Sequence, residues 1–126
     1  MPGTILVVDD NIQNRILLQD VLTHYGFAVL LAENGAEGVA VANEHNPDLI
    51  LMDIQMPGMN GLEAGRLLRS DSRTKNIKIL ALSCFNMLDD EDNFFATGFD
   101  GYIGKPFDIR ELPKIIMKHL SEGERE

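Results

Sequence analysis

Ile5-Leu6-Val7-Val8-Asp9-Asp10 and Leu49-Ile50-Leu51-Met52-Asp53 are two apolar runs that each end on aspartate. Neither alternates apolar with polar residues, so a strand made from either must be buried on both faces, as in a parallel sheet covered by helices. Weaker strand patterns at Ala28 to Leu31, Ile79 to Leu82 and Tyr102-Ile103 bring the expected number of strands to five.

The segments between these strands read as helices. Leu18, Val21, Leu22 and Tyr25 recur at i, i+3, i+4 and i+7, which turns one face inward. Asn11 is placed to cap that helix. A second helix is expected from about Ala36 to Glu44, with Val39 and Ala40 facing inward. Asn60 and Glu63 form a capping-box pattern that opens a third helix carrying Ala64, Leu67 and Leu68. A fourth is expected over about Met87 to Ala96, and a fifth carries Leu112, Ile115, Ile116 and Leu120. Proline in a helix interior costs about 3 kcal/mol but is tolerated at the first helical position. Pro113 therefore predicts that the regular fifth helix starts near Leu112 and not near Ile109. Strands and helices alternating in this way predict an α/β fold, a three-layer sandwich built by right-handed crossovers. The pattern leaves the strand order open.

Length and charge narrow the function classes. A chain of 126 residues has the size of one ordinary domain, so residues 1–126 are read as one unit that ends in a charged tail over 121–126. Its 44% hydrophobic and 25% charged residues fit a globular protein and not a disordered one. No apolar run approaches the roughly 18 to 20 residues of a membrane span, and no basic region precedes the first strand. The expectation is a cytoplasmic protein without membrane insertion. A net charge of −9 opposes direct nucleic-acid binding and favours cations and basic partner surfaces. Cys84 is the single cysteine, cannot form an internal disulfide, and reads as a small core residue.

In an open parallel sheet, ligands bind beyond the carboxyl ends of the strands. Those positions hold Asp9 and Asp10, Asp53, Ser83 and Lys105. Three carboxylates on one rim would repel each other unless a cation is present. With oxygen ligands and no His or Cys nearby, magnesium suits the set better than calcium. A hydroxyl from Ser83 and an ammonium from Lys105 could hold the remaining oxygens of a phosphoryl group, leaving one carboxylate free to attack it. Singly, each residue has a plainer reading. Strand-end aspartates often serve in caps and turns, and Lys105 and Tyr102 would be ordinary surface and packing residues. Asp89-Asp90-Glu91-Asp92 reads as favourable charge at a helix start. His24, His45 and His119 lack metal-ligand spacing and read as surface residues, while Asn34-Gly35 and Asn60-Gly61 read as turn chemistry.

Together, Val7-Val8-Asp9-Asp10-Asn11, the run Leu51-Met52-Asp53-Ile54-Gln55-Met56-Pro57-Gly58-Met59-Asn60-Gly61, Ser83 and Lys105-Pro106-Phe107 resemble the receiver domains of two-component response regulators, in the same order and over essentially the whole chain. The resemblance implies a flavodoxin-like five-stranded parallel sheet of order 2-1-3-4-5. It also implies that Asp53 is the phospho-acceptor. Asp10, Asp53 and the backbone carbonyl of Gln55 would ligate magnesium directly, with manganese as an alternative ion, and Asp9 would act through a metal-bound water. Lys105 would pair with the acyl phosphate, Ser83 would hydrogen-bond it, and Tyr102 would be the aromatic switch residue. Lys105-Pro106 resembles the family's cis peptide bond. The donor would be a histidine on a sensor histidine kinase or phosphotransfer protein, and a downstream protein partner would read the switched state. On this reading the chain catalyses only its own phosphorylation and dephosphorylation. Cys84 and Phe85 stand where most receivers place small residues, so Phe85 and Gln55 are candidate modulators of water access.

Three rival readings remain. A haloacid-dehalogenase-like phosphatase also uses aspartate and magnesium, but its nucleophile ends the first strand in an Asp-x-Asp pattern, unlike Asp9-Asp10. A flavin-binding electron carrier of the same fold would place Ser, Thr and Gly after the first strand, where this chain has two carboxylates. An interaction module of this fold that no longer needs phosphate is the third, and the intact set of site residues speaks against it.

Overall fold

A computed structural model describes residues 3–54, 61–83, 98–104 and 108–123. The elements run β1 (Thr4–Val8), α1 (Ile12–His24), β2 (Ala28–Ala32), α2 (Gly35–His45), β3 (Leu49–Asp53), α3 (Gly61–Ser70), β4 (Lys78–Ser83), β5 (Gly101–Gly104) and α4 (Leu112–Gly123). The helix expected over Met87 to Ala96 lies outside the described residues, as do the acidic run Asp89 to Asp92 and Cys84. The helix here labelled α4 is therefore the one that carries Pro113.

The strands form one sheet of order β2-β1-β3-β4-β5 in which each neighbouring pair is parallel. This is the order that the resemblance implies. β1 lies between β2 and β3, and β3 between β1 and β4. The uninterrupted apolar runs thus occupy strands with a neighbour on each side. Successive side chains point to opposite faces. Leu6, Val8, Ile50, Met52, Ile79 and Ala81 face a cluster with Ala42 of α2 and Ala64 and Leu68 of α3. Ile5, Val7, Leu49, Leu51, Leu80 and Leu82 face a second cluster with Leu18 and Leu22 of α1 and Leu112 and Ile116 of α4. Each fully buried large apolar side chain contributes about 1.5–3 kcal/mol. Helices on both faces of the sheet make the three layers.

Helix starts follow their local chemistry. The Asn11 side chain accepts from the amides of Gln13 and Asn14 at 2.8 and 3.1 Å, capping α1. Asn34 caps α2 by accepting from the Glu37 amide at 2.8 Å. α4 begins at Leu112, which puts Pro113 in the first turn, where its missing N–H leaves no bond unmade.

Several inward faces differ from expectation. Tyr25 is the C-cap residue of α1 and is exposed, because the helix ends before its side chain can return to the core. Ala40 is exposed, whereas Val39 packs against the core as expected, and α2 meets the sheet through the buried Gly35, Gly38 and Ala42. The reason is space: a Cβ on Gly38 would lie 2.8 Å from Cγ2 of Val8, so the glycine brings α2 onto β1. Leu67 is exposed while Ala64 and Leu68 are buried. Of the three histidines, His24 and His45 are exposed, but His119 is half-buried over the start of β5, its Nε2 3.3 Å from where a Gly101 Cβ would stand. Among the described residues no helix is long and apolar enough to cross a membrane.

Candidate functional site

The register of the sheet brings the candidate residues together. Val8 of β1 lies opposite Met52 of β3, so the next residues, Asp9 and Asp53, end up side by side on one rim. The Asp9 amide still donates to the Ala32 carbonyl at 3.1 Å, which holds Asp9 in line with β1 before the chain turns. Asp53 is the last residue of β3 and lies opposite Leu82, and the next amide, of Ile54, donates to the Leu82 carbonyl at 3.2 Å. Asp9 and Asp53 are buried, whereas Asp10 is exposed.

Asp9, Asp10 and Asp53 each offer a carboxylate oxygen, and the three oxygens lie within 4.8 Å of one another. Two of the carboxylates are out of water, so their mutual repulsion is weakly screened and favours a cation at the point they share. A donor set of hard oxygens suits a hard divalent ion. Carboxylate oxygens gathered within 4.8 Å of one another can share one such ion.

α1 grips the buried member of the set. Oδ1 of Asp9 accepts from the Asn11 amide at 2.9 Å, and Oδ2 accepts from Nδ2 of Asn14 at 3.2 Å. Nη1 of Arg15 donates to the Asp9 carbonyl at 2.7 Å. Neither Asn14 nor Arg15 is marked as a site residue by the sequence pattern. The available signal was their place in the turn after a capping asparagine, with polar side chains that can reach back to the strand end. Gly61 closes an Asn-Gly turn pattern, but its position has a tighter cause. A Cβ there would press on the Asp53 carbonyl oxygen and lie 2.6 Å from the Ile54 Cα.

The other candidate residues are distributed as follows. Ser83 ends β4 opposite Gly104, one residue beyond the pair Asp53 and Leu82. Tyr102 lies on β5 opposite Ala81 and is exposed. Lys105, Pro106, Gln55 and Phe85 lie outside the described residues.

Comparison with known proteins gives one consistent result. The family profile described as the response regulator receiver domain matches residues 5–117. The polar-differentiation response regulator DivK of Brucella anthropi is 35% identical over 123 residues, covering 98% of this chain and all of the relative. Among solved structures, the chemotaxis protein CheY4 of Vibrio cholerae superposes with a TM-score of 0.88 at 31% identity, covering 92% of this chain and 97% of that one. The receiver domain of a sensor histidine kinase from Pseudomonas aeruginosa superposes with a TM-score of 0.86 at 30% identity, covering 94% and 98%. That protein holds a magnesium ion in its active-site cleft.

Proposed function

The chain belongs to the response-regulator receiver domain family of two-component signalling, and on that premise we propose that Asp53 is its phospho-acceptor and that magnesium is bound at Asp9, Asp10 and Asp53. Receivers are signalling domains in which a phosphoryl-acceptor role is typical, and they work with histidine kinases or phosphotransfer proteins and with downstream effectors. The observation that carries the assignment is the meeting of the three carboxylate oxygens within 4.8 Å at the ends of β1 and β3. Asp53 is the last residue of β3 and Asp9 directly follows β1, both interior strands of the sheet, and both aspartates are buried.

An oxygen of Asp53 attacks phosphorus, the bond from phosphorus to the donor histidine nitrogen breaks, and the imidazole leaves with the electron pair. Asp10 and Asp53, with the Gln55 carbonyl, would hold a magnesium ion directly and Asp9 would act through a water, manganese being the alternative ion; the ion would supply positive charge for the phosphoryl oxygens. Lys105 pairs with the phosphoryl oxygens, Ser83 hydrogen-bonds them, and Tyr102 responds to that movement. In this reading Phe85 and Gln55 govern the approach of water. Residues 1–126 act as one receiver in the cytoplasm. The chain catalyses only its own phosphorylation and hydrolysis, and a partner protein reads the result.

Asp53→Asn tests the centre of this reading. Incubation with acetyl phosphate should give the wild type a hydroxylamine-labile label and the variant none, because no other strand-end carboxylate takes the position of Asp53. A label that persisted in Asp53→Asn would refute the assignment.

A further inference from the structure

We infer that Asn14 is a positioning residue for the metal centre, its side-chain amide fixing the carboxylate of Asp9 so that Asp9 presents an oxygen toward Asp10 and Asp53 for the ion's bound water. This rests on the magnesium site proposed above. Asp9 is fully buried, so protein partners and not bulk water set its orientation. Two donors from the start of α1 engage it, one on each oxygen: the Asn11 amide on Oδ1 at 2.9 Å and Nδ2 of Asn14 on Oδ2 at 3.2 Å. A carboxylate oxygen has two acceptor directions, so a donor on each still leaves capacity for a cation or its water. A bond to one oxygen lets the group swing about its Cβ–Cγ axis, whereas bonds to both fix its plane.

The identity of the side chain fits this task. A neutral amide orients the carboxylate without cancelling its charge, which a lysine at the same place would do. Arg15, the neighbouring cation, directs its guanidinium to the Asp9 carbonyl at 2.7 Å and so steadies the backbone of the same residue. Asn14 is half-buried on the third residue of α1, close enough to the rim to act on the site and placed where substitution leaves the core intact.

The test is magnesium affinity, read on the full chain from amide shifts of Asp9, Asp10 and Asn11 during titration with magnesium chloride. Loss of a residue that orients a metal ligand weakens affinity by about 10-fold or more, and Asn14→Leu should raise the dissociation constant by about 10-fold. Asn14→Gln keeps an N–H donor and should recover affinity to within about 3-fold of the wild type. Unchanged affinity in Asn14→Leu would overturn the role, and so would a glutamine variant as weak as the leucine one. Asp10→Asn separates the two levels of the reading. If it binds magnesium as the wild type does, the metal centre itself is misplaced; if it loses the ion while Asn14→Leu does not, only the role of Asn14 falls.

Discussion

A Cβ on Gly61 would meet backbone atoms of Asp53 and Ile54, and backbone at the end of a central strand cannot swing aside as a flexible side chain does. Gly61→Ala should therefore destabilise the fold by about 1–3 kcal/mol through overpacking. It should also slow labelling by acetyl phosphate, since the strain falls on the residue that carries the nucleophile. Urea melts and labelling rates measured together check both halves; a wild-type midpoint would show that α3 shifts at no cost. Why Asp9, Asp10 and Asp53 were legible in the sequence and Gly61 was not has a physical answer. Carboxylates that end apolar runs announce a strand-end site by position alone. The need for a hydrogen in place of a methyl depends on how closely α3 approaches β3, and the sequence near Gly61 contains nothing that measures that approach. The role of Asn14 is hidden in the sequence for the same reason, since its partner lies across the turn from β1 to α1.

Arg69, at the end of α3, shows how one side chain can set the spacing of several elements. Its Nε donates to the Gly98 carbonyl at 2.7 Å, its Nη1 to the carbonyls of Lys75 and Ile77 at 2.9 and 2.5 Å, and its Nη2 to Oδ2 of Asp100 at 2.6 Å. The same Asp100 oxygen accepts from the Ile79 amide at 2.8 Å. One guanidinium thus joins α3, the approach to β4 and the approach to β5. The edge strand β5 is only four residues long and gains most from such a tie. Arg69→Met should cost about 2–3 kcal/mol, because it leaves a charged acceptor and several carbonyls without their donor. Arg69→Lys should recover little of this, since an ammonium lacks the planar fork. A lysine variant as stable as the wild type would reduce the network to simple charge attraction. Periodicity succeeds where the chain is regular: the bounds expected for the five strands lie within one residue of those observed, and Pro113 with Leu112 fixes where the last helix begins. It failed for Tyr25 and Ala40, because a 3.6-residue repeat says that a helix has an inner face but not where the helix ends or which small residue touches the sheet.

Magnesium should stabilise the whole chain, because only the folded state gathers the three carboxylates. At a concentration ten times the dissociation constant the gain is about 1.4 kcal/mol, or about 5 °C in Tm for a domain of this size. Scanning calorimetry with and without magnesium should show that gain in the wild type and not in Asp10→Asn. Equal gains in both would place the ion elsewhere. The net charge of −9 acts in the same direction through the general attraction of cations, which is why the variant and not the wild type decides.

The sheet also separates the two apolar clusters energetically. Leu22 belongs to one cluster and Leu68 to the other, and among the described residues the two clusters share no member. Leu22→Ala and Leu68→Ala should therefore add in a double variant to within about 0.5 kcal/mol, and a larger coupling would mean that strain crosses the strands. With that independence, the surface over α1 and α4 can be rebuilt by mutation for one partner while the surface over α2 and α3 stays as it was.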